Sequence, residues 1–233
     1  MLETKDLTLH YSGSRILNGV SISAARGEVT CIMGTNGVGK TSLMKAISGT
    51  HARSGGEVIY DGQPLAPLPA HRLAKLGVGY VPQGRMIFPL LTVRENLETG
   101  LACLPKPERR VPDRIFELFP VLAEMQHRRG GDLSGGQQQQ LAIGRALVTR
   151  PKLLLMDEPT EGIQPNIIQL IGRVIRQLRE EGEMAIVLVE QYFDFAFDLA
   201  DQFYVLSRGS VSFARRKADT DRDTLQAAFS LQS

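Results

Sequence analysis

Eight consecutive residues, Gly34-Thr35-Asn36-Gly37-Val38-Gly39-Lys40-Thr41, have the types and spacing to hold a chain of phosphates. They follow the pattern Gly, four residues, Gly-Lys-Ser/Thr. Glycines admit turns closed to other residues, so successive backbone N–H groups can point at phosphate oxygens. Lys40 then reaches the β and γ phosphates. The Thr41 hydroxyl suits Mg²⁺, a hard cation that takes few protein ligands and completes its shell with phosphate oxygens and water, and Ser42 is grouped with these binding residues.

Three further stretches and one aromatic residue carry chemistry. Leu153-Leu154-Leu155-Met156 is an apolar run that delivers Asp157 and Glu158 at its end, and ligands of open α/β sheets bind beyond the C-terminal ends of such strands. A surface carboxylate is the plain alternative for Glu158. Ser134, Gly135, Gly136 and Gln137 precede a helix-forming stretch, where a capping hydroxyl and free N–H groups make a second anion site. Gln83 follows Val78-Gly79-Tyr80-Val81 and Pro82, so it sits where the chain leaves a sheet. Tyr11, at a strand end, either fills the core or offers a flat ring on which an adenine stacks.

The elements that must position these residues are legible from periodicity. Val29 to Met33 reads as a buried strand and Thr41 to Ser48 as a helix closed by Gly49, which turns the helix N-terminus toward the phosphates. Leu7, Leu9 and Tyr11 alternate with polar residues, Ser12-Gly13-Ser14 turns the chain, and Val20 and Ile22 alternate again, as in an antiparallel hairpin or meander. Glu57 to Tyr60 is another strand and His71 to Leu76 a short helix. From Gly84 to Gly130 short helical pieces are broken by Pro89, Pro105, Pro107, Pro112 and Pro120, which suggests an inserted helical lobe. Gln138 to Val148 has helix-forming composition.

Ile167, Ile171, Val174 and Leu178 recur at intervals of 4, 3 and 4, so Asn166 to Glu181 is an amphipathic helix ended by Gly182. Met184 to Val189 is the next buried strand, Glu190 and Gln191 its exit, and Phe193 to Ala200 a helix. Gln202 to Leu206 and Ser210 to Ala214 form a hairpin. Thr224 to Phe229 is a last helix, with Asp223 as its cap.

Composition restricts the class. At 233 residues, with 42% hydrophobic and 22% charged residues, the chain describes an ordinary globule with a sizeable core. A net charge of +2 is too small to argue for nucleic acid. The two cysteines, Cys31 and Cys103, make neither a disulfide framework nor a zinc spacing, which suits a reducing compartment. No stretch approaches the ~20 apolar residues of a membrane span, and Met1 to Asp6 is too polar to begin a signal peptide. If the protein works at a membrane, another chain must provide the span.

Taken together these motifs resemble the ATP-binding subunits of ABC transporters, in order and over nearly the whole chain. Gly34 to Thr41 stands as Walker A, Gln83 as the Q-loop glutamine, Leu133 to Gln137 as the signature sequence, Leu153 to Glu158 as Walker B with its terminal glutamate, and Tyr11 as the adenine-stacking aromatic. The resemblance implies an α/β P-loop NTPase fold with a parallel sheet, an antiparallel β portion and an inserted helical lobe. Residues 1–83 and 151–233 would form the ATP-binding core, and residues 84–150 the lobe that carries the signature. It also implies ATP and Mg²⁺, and a head-to-tail dimer in which nucleotide at Lys40 of one subunit is capped by Ser134 and Gly136 of the other. In that arrangement Asp157 orders Mg²⁺, Glu158 activates water, and Gln83 senses Mg²⁺ and the γ-phosphate. Catalysis is then positioning plus charge neutralisation.

Two stretches depart from the general pattern. Gln191 stands where most members place a histidine, and Glu161-Gly162-Ile163-Gln164 where they read Ser-Ala-Leu-Asp. Both resemble the branch serving branched-chain amino acid and urea uptake, and within it Glu161 to Pro165 and Glu190 to Ala196 look most like the urea-transport subunit. The expected partners are transmembrane permease subunits, a second ATP-binding subunit and, indirectly, a solute-binding protein. The expected place is the cytoplasmic face of the inner membrane, peripherally bound. Since a carboxamide is a weaker partner for phosphate than an imidazolium, Gln191 predicts a heterodimer with a cassette that carries the histidine. A soluble ABC protein without a membrane partner and a regulatory module that does not hydrolyse are the competing readings.

Overall fold

The computed structural model describes residues 1–230, so residues 231–233 of the expected core segment lie outside it. The chain begins with β1 (Leu2–Tyr11), β2 (Ser14–Val20) and β3 (Ser23–Ala24), in which Leu7, Leu9, Leu17 and Val20 turn to one buried side. Next comes β4 (Val29–Met33), buried throughout. It leads through the glycine-rich loop into α1 (Lys40–Ser48), which Gly49 closes in the left-handed conformation. The strands β5 (Gly55–Tyr60) and β6 (Gln63–Pro64), the helix α2 (Ala70–Lys75) and the strand β7 (Val78–Val81) follow.

Between 84 and 150 lie α3 (Val93–Gly100), α4 (Asp113–Leu118), α5 (Pro120–Glu124) and α6 (Gly135–Leu147). Prolines here start helices as well as interrupt them. Pro112 is the N-cap of α4 and Pro120 the first residue of α5, a position where the missing N–H loses no helical hydrogen bond. The rest of the chain is β8 (Leu153–Asp157), α7 (Pro165–Glu180), β9 (Ala185–Glu190), α8 (Phe193–Leu199), β10 (Gln202–Ser207), β11 (Ser210–Arg216) and α9 (Arg222–Ser230).

These strands make two sheets. One is antiparallel, in the order β2-β1-β5-β6 with β3 beside β1. The other runs β11-β10-β4-β9-β8-β7, parallel from β10 to β7, with β11 added antiparallel at one edge. Residues of the parallel strands alternate between two cores. Leu154, Met156, Ile186 and Leu188 pack with Ile171, Val174 and Leu178 of α7 and with Leu97 and Leu141 of α3 and α6. Leu153, Leu155, Val187 and Val189 pack instead with Leu43, Met44 and Ile47 of α1 and with Leu7 and Leu9 of the antiparallel sheet. Burial on both faces is why these strands read as continuous apolar runs.

Two sequence expectations need correction. The signature helix begins at Gly135, not at Gln138, because Ser134 and Gln137 form a reciprocal capping box that draws both glycines into the first turn. The last helix begins at Arg222, and its cap is Asp221 instead of Asp223, since Asp221 Oδ1 accepts from the Thr224 N–H at 2.7 Å.

Leu188, fully buried in the centre of β9, sets a test of this layering. Leu188→Ala will lower the unfolding free energy by about 2–5 kcal/mol, the range for a leucine truncated in a packed interior. Urea denaturation measures it, and a loss below about 1 kcal/mol would contradict a close-packed core at this strand.

Candidate functional site

The loop between β4 and α1 is held in its turn by sterics. Gly34 has φ +153, and a Cβ there would meet the Leu206 carbonyl oxygen at 2.7 Å and Val38 Cγ2 at 2.8 Å. Gly39, with φ +108, is the N-cap of α1, so the free N–H groups of the first helical turn open onto the loop. Lys40 follows, 4% exposed. Its ammonium donates to the Gly34 and Thr35 carbonyl oxygens at 2.8 and 2.9 Å and pairs with Glu158 Oε1 at 3.3 Å. All three donors of the ammonium are therefore matched.

Pairing between β8 and β9 brings the carboxylates to the same place. Asp157 is the last residue of β8, in register with Val189, and the Glu158 N–H continues the ladder to the Val189 carbonyl oxygen at 2.9 Å. Glu158 has φ +48, a left-handed conformation that a non-glycine residue keeps only where its surroundings impose it. Its Oε2 accepts from Gln83 Nε2 at 3.2 Å, and the same amide donates to Glu161 Oε2 at 3.0 Å. Asp157 Oδ1 accepts from the Thr41 hydroxyl at 3.3 Å and Oδ2 from the Tyr80 hydroxyl at 3.4 Å. Burial pushes the Asp157 carboxyl up to about 6, against the bond from Thr41. Burial, followed by the field of Asp157, raises the Tyr80 phenol.

Tyr11, Asn36, Gly37, Gly39, Lys40, Thr41, Ser42, Gln83 and Glu158 line one cleft of about 360 Å³. The Tyr11 ring lies against His51, centroids 4.4 Å apart and tilted by 37°. Thr41 and Asp157 offer two hard oxygens side by side, and the loop offers N–H groups and an ammonium, so the residues fit Mg²⁺ and a polyphosphate. Ser134, Gly135, Gly136 and Gln137 lie outside this lining, as does Gln191 at the exit of β9. Gly136 is also needed by its own chain, because a Cβ there would meet Ile167 Cγ1 at 2.9 Å, whereas at Gly135 the nearest atom is the movable guanidinium of Arg85.

Sequence reasoning misses Tyr80, Glu161 and Glu190 as members of the site. Glu161 stands where the sequence departs from the family pattern, which is a usable signal. Glu190 is 2% exposed, and burial pushes its carboxyl up to about 7 despite bonds from Thr160, Gln191 and Tyr192.

Against this geometry the comparisons are specific. The family model described as ABC transporter matches residues 17–161, and the chain belongs to that family: it is an ATP-binding cassette, an ATP-hydrolysing motor of transport that uses Mg²⁺. It is 42% identical over 212 residues, 91% of both chains, to the high-affinity branched-chain amino acid transport ATP-binding protein BraG of Pseudomonas aeruginosa. It is 37% identical over 216 residues, again 91% of both, to the probable branched-chain amino acid transport ATP-binding protein LivF of Archaeoglobus fulgidus. A dimeric ATP-binding cassette in a post-hydrolysis state, bound to ADP and Pi, superposes with a TM-score of 0.82 at 28% identity, covering 93% of this chain and 99% of the other. Among the described residues no helix is long and apolar enough to cross a membrane.

Burial and then the Glu190 charge push the buried Cys31 thiol of β4 well up. A carboxyl raised from 4.5 to about 7 binds its proton in the folded state while the unfolded chain has released it. Stability therefore falls as pH rises through that window, by up to about 3 kcal/mol, because each tenfold gain in proton affinity is worth about 1.4 kcal/mol. Urea denaturation between pH 5 and 8 will show wild type losing stability relative to Glu190→Gln. Parallel curves would contradict the raised carboxyl.

Proposed function

We propose that this chain is the ATP-binding motor of a urea importer, bound peripherally at the cytoplasmic face of the membrane beside separate permease subunits and fed by a solute-binding protein. The observation that carries the motor assignment is that Lys40, Thr41, Gln83 and Glu158 line one cleft, with Lys40–Glu158–Gln83 in contact and Thr41 bonded to the buried Asp157 behind it. Residues 1–83 and 151–233 act as the nucleotide core and residues 84–150 as the lobe.

In this reading Gly34 to Ser42 wrap the phosphates, and Lys40 exchanges part of its contact with the loop carbonyls and Glu158 for phosphate oxygens. Thr41 and Asp157 hold Mg²⁺, which supplies charge neutralisation on the phosphates when bound. Glu158, released from Lys40, accepts the proton of the attacking water. Gln83 joins that carboxylate to the lobe, and Tyr11 offers its free face to the adenine. Ser134, Gly135, Gly136 and Gln137 lie outside their own chain's cleft, and the similar cassette is dimeric. Both observations support their acting on the nucleotide of a partner.

The urea assignment rests on Glu161-Gly162-Ile163-Gln164-Pro165 and Glu190-Gln191-Tyr192-Phe193. Branched-chain amino acids are the second reading, favoured by the names of the two relatives. In cells lacking the native chain, wild type will restore uptake of labelled urea and Lys40→Ala will not; restoration of leucine uptake alone would overturn the urea assignment. Purified Lys40→Ala will lose ATP binding, whereas Glu158→Gln will retain ATP and accumulate a closed dimer. Normal turnover by Glu158→Gln would show that Glu158 is not the base.

Gln191 offers only a neutral donor where a histidine would add charge, and charge-assisted hydrogen bonds are about twice as strong as neutral ones. The working pair is then a heterodimer whose other cassette carries the histidine. The chain alone will be a weak ATPase, stimulated by Gln191→His or by the second cassette. Full transport-level hydrolysis by the unmodified chain, with no gain from either change, would disprove the pairing.

A further inference from the structure

The loops that follow β8 and β9 are tied together by one buried side chain. Glu190 Oε1 accepts from the Thr160 hydroxyl at 2.8 Å and the Thr160 N–H at 3.2 Å. Its other oxygen accepts from the Gln191 and Tyr192 N–H groups at 3.1 and 3.3 Å. In its ionised form, which prevails above about pH 7, the carboxyl has about four lone-pair sites, and all are used. One oxygen serves the loop that carries Glu158, and the other serves the loop that carries Gln191.

We propose that Glu190 is a positioning residue for ATP hydrolysis, a brace that fixes the Glu158 carboxylate by holding Thr160 and keeps it in register with the loop at Gln191. Thr160 is joined to Glu158 through Pro159 alone, whose ring fixes its own φ, one of the four soft backbone torsions between the two Cα atoms. On the other side, the Glu158 N–H is bound to the Val189 carbonyl oxygen. Glu158 is thus gripped by two successive residues of β9, Val189 on its N-terminal side and Glu190 through Thr160. That double grip accounts for a non-glycine residue held at φ +48. It also explains why a carboxylate is buried at a strand end bonded to hydroxyl and N–H donors of two loops: only an acceptor at both ends of its fork can satisfy both. An amide in its place keeps one acceptor oxygen and turns an NH₂ toward the N–H donors of the other loop.

The proposal rests on the assignment of Glu158 as base, so Glu158→Gln is measured alongside. Glu190→Gln and Thr160→Val are compared with wild type for ATP affinity, by fluorescent-nucleotide titration, and for kcat in Mg²⁺-ATP hydrolysis, using the full chain with its second cassette. Misplacing a catalytic group by about 1 Å can cost on the order of a hundredfold, and a partial loosening here is expected to lower kcat about tenfold in either variant with the ATP Kd changed less than twofold. The double variant will be no slower than the slower single one, since both break one brace. Thr160→Ser, which keeps the hydroxyl, will recover most of the rate lost in Thr160→Val. Undiminished kcat in Thr160→Val, a loss confined to nucleotide affinity, or multiplicative losses in the double variant would each overturn the brace. Thr160→Val decides the matter even where Glu190→Gln folds poorly. Full turnover in Glu158→Gln would instead remove the base assignment, a failure read separately from either brace variant.

Discussion

A buried ammonium must be surrounded by acceptors, and at Lys40 that requirement organises the molecule. Leaving such a charge uncompensated would cost several kcal/mol, so the chain supplies two carbonyl oxygens from its own loop and one carboxylate from a strand more than a hundred residues away. The carbonyls are available because Gly34 and Gly39 take backbone conformations that fold the loop over the start of α1. The carboxylate is available because β8 pairs in parallel with β9, which itself pairs with β4. Neither element could be moved without stranding the other's charge. In the proposed function a polyphosphate replaces those acceptors at the ammonium and releases Glu158 for other work.

That release has a direction. Glu158 is held on the far side by Gln83, whose amide also reaches Glu161, so the residue at the exit of β7 touches both the carboxylate and the loop that follows it. Arg85, two residues further on, lies against Gly135 and donates to the Glu161 carbonyl oxygen. The segment after β7 therefore contacts the ends of β8 and α6 at once, and a change at Lys40 has a connected physical route toward the helical segment.

The parts of this site that are contiguous in the chain are legible in the sequence, because their geometry is set by covalent spacing. Gly34 to Thr41 and Asp157-Glu158 belong to this class, as does the Ser134 cap, where only the helix start is misplaced. Tyr80, Glu161 and Glu190 are not legible as a site. Tyr80 meets Asp157 across 77 residues of sequence, through sheet pairing that an apolar strand pattern does not specify. Glu190 closes one apolar strand and reads as a simple exit, although its burial is what gives it two loops to serve. The sheets are legible as strands but not as an order, since β8, β9 and β4 are equally apolar runs and nothing in their periodicity says which lies between the others. The cap of α9 is missed by two residues because Asp221 and Asp223 are the same residue type, and only the path of the backbone chooses between them.

The apolar packing adds a constraint that the polar contacts alone do not reveal. Leu97, Ile115, Leu118 and Leu122 of the helical segment share one continuous cluster with Cys31, Met33, Leu154 and Met156 of the parallel sheet. Residues 84–150 thus have no separate interior, and a large rotation of this segment would open apolar surface at a cost of about 25 cal/mol for each Å² exposed. Small displacements that keep the cluster closed are far cheaper. Close-packed interiors transmit such displacements instead of absorbing them. The polar chain from Lys40 through Glu158 and Gln83 to Arg85 runs along the boundary of that cluster, where a shift of a few tenths of an ångström remakes hydrogen bonds without unpacking leucines. The polar contacts thus form the continuous link between the nucleotide cleft and the helical segment, while the shared core limits how far the segment can travel.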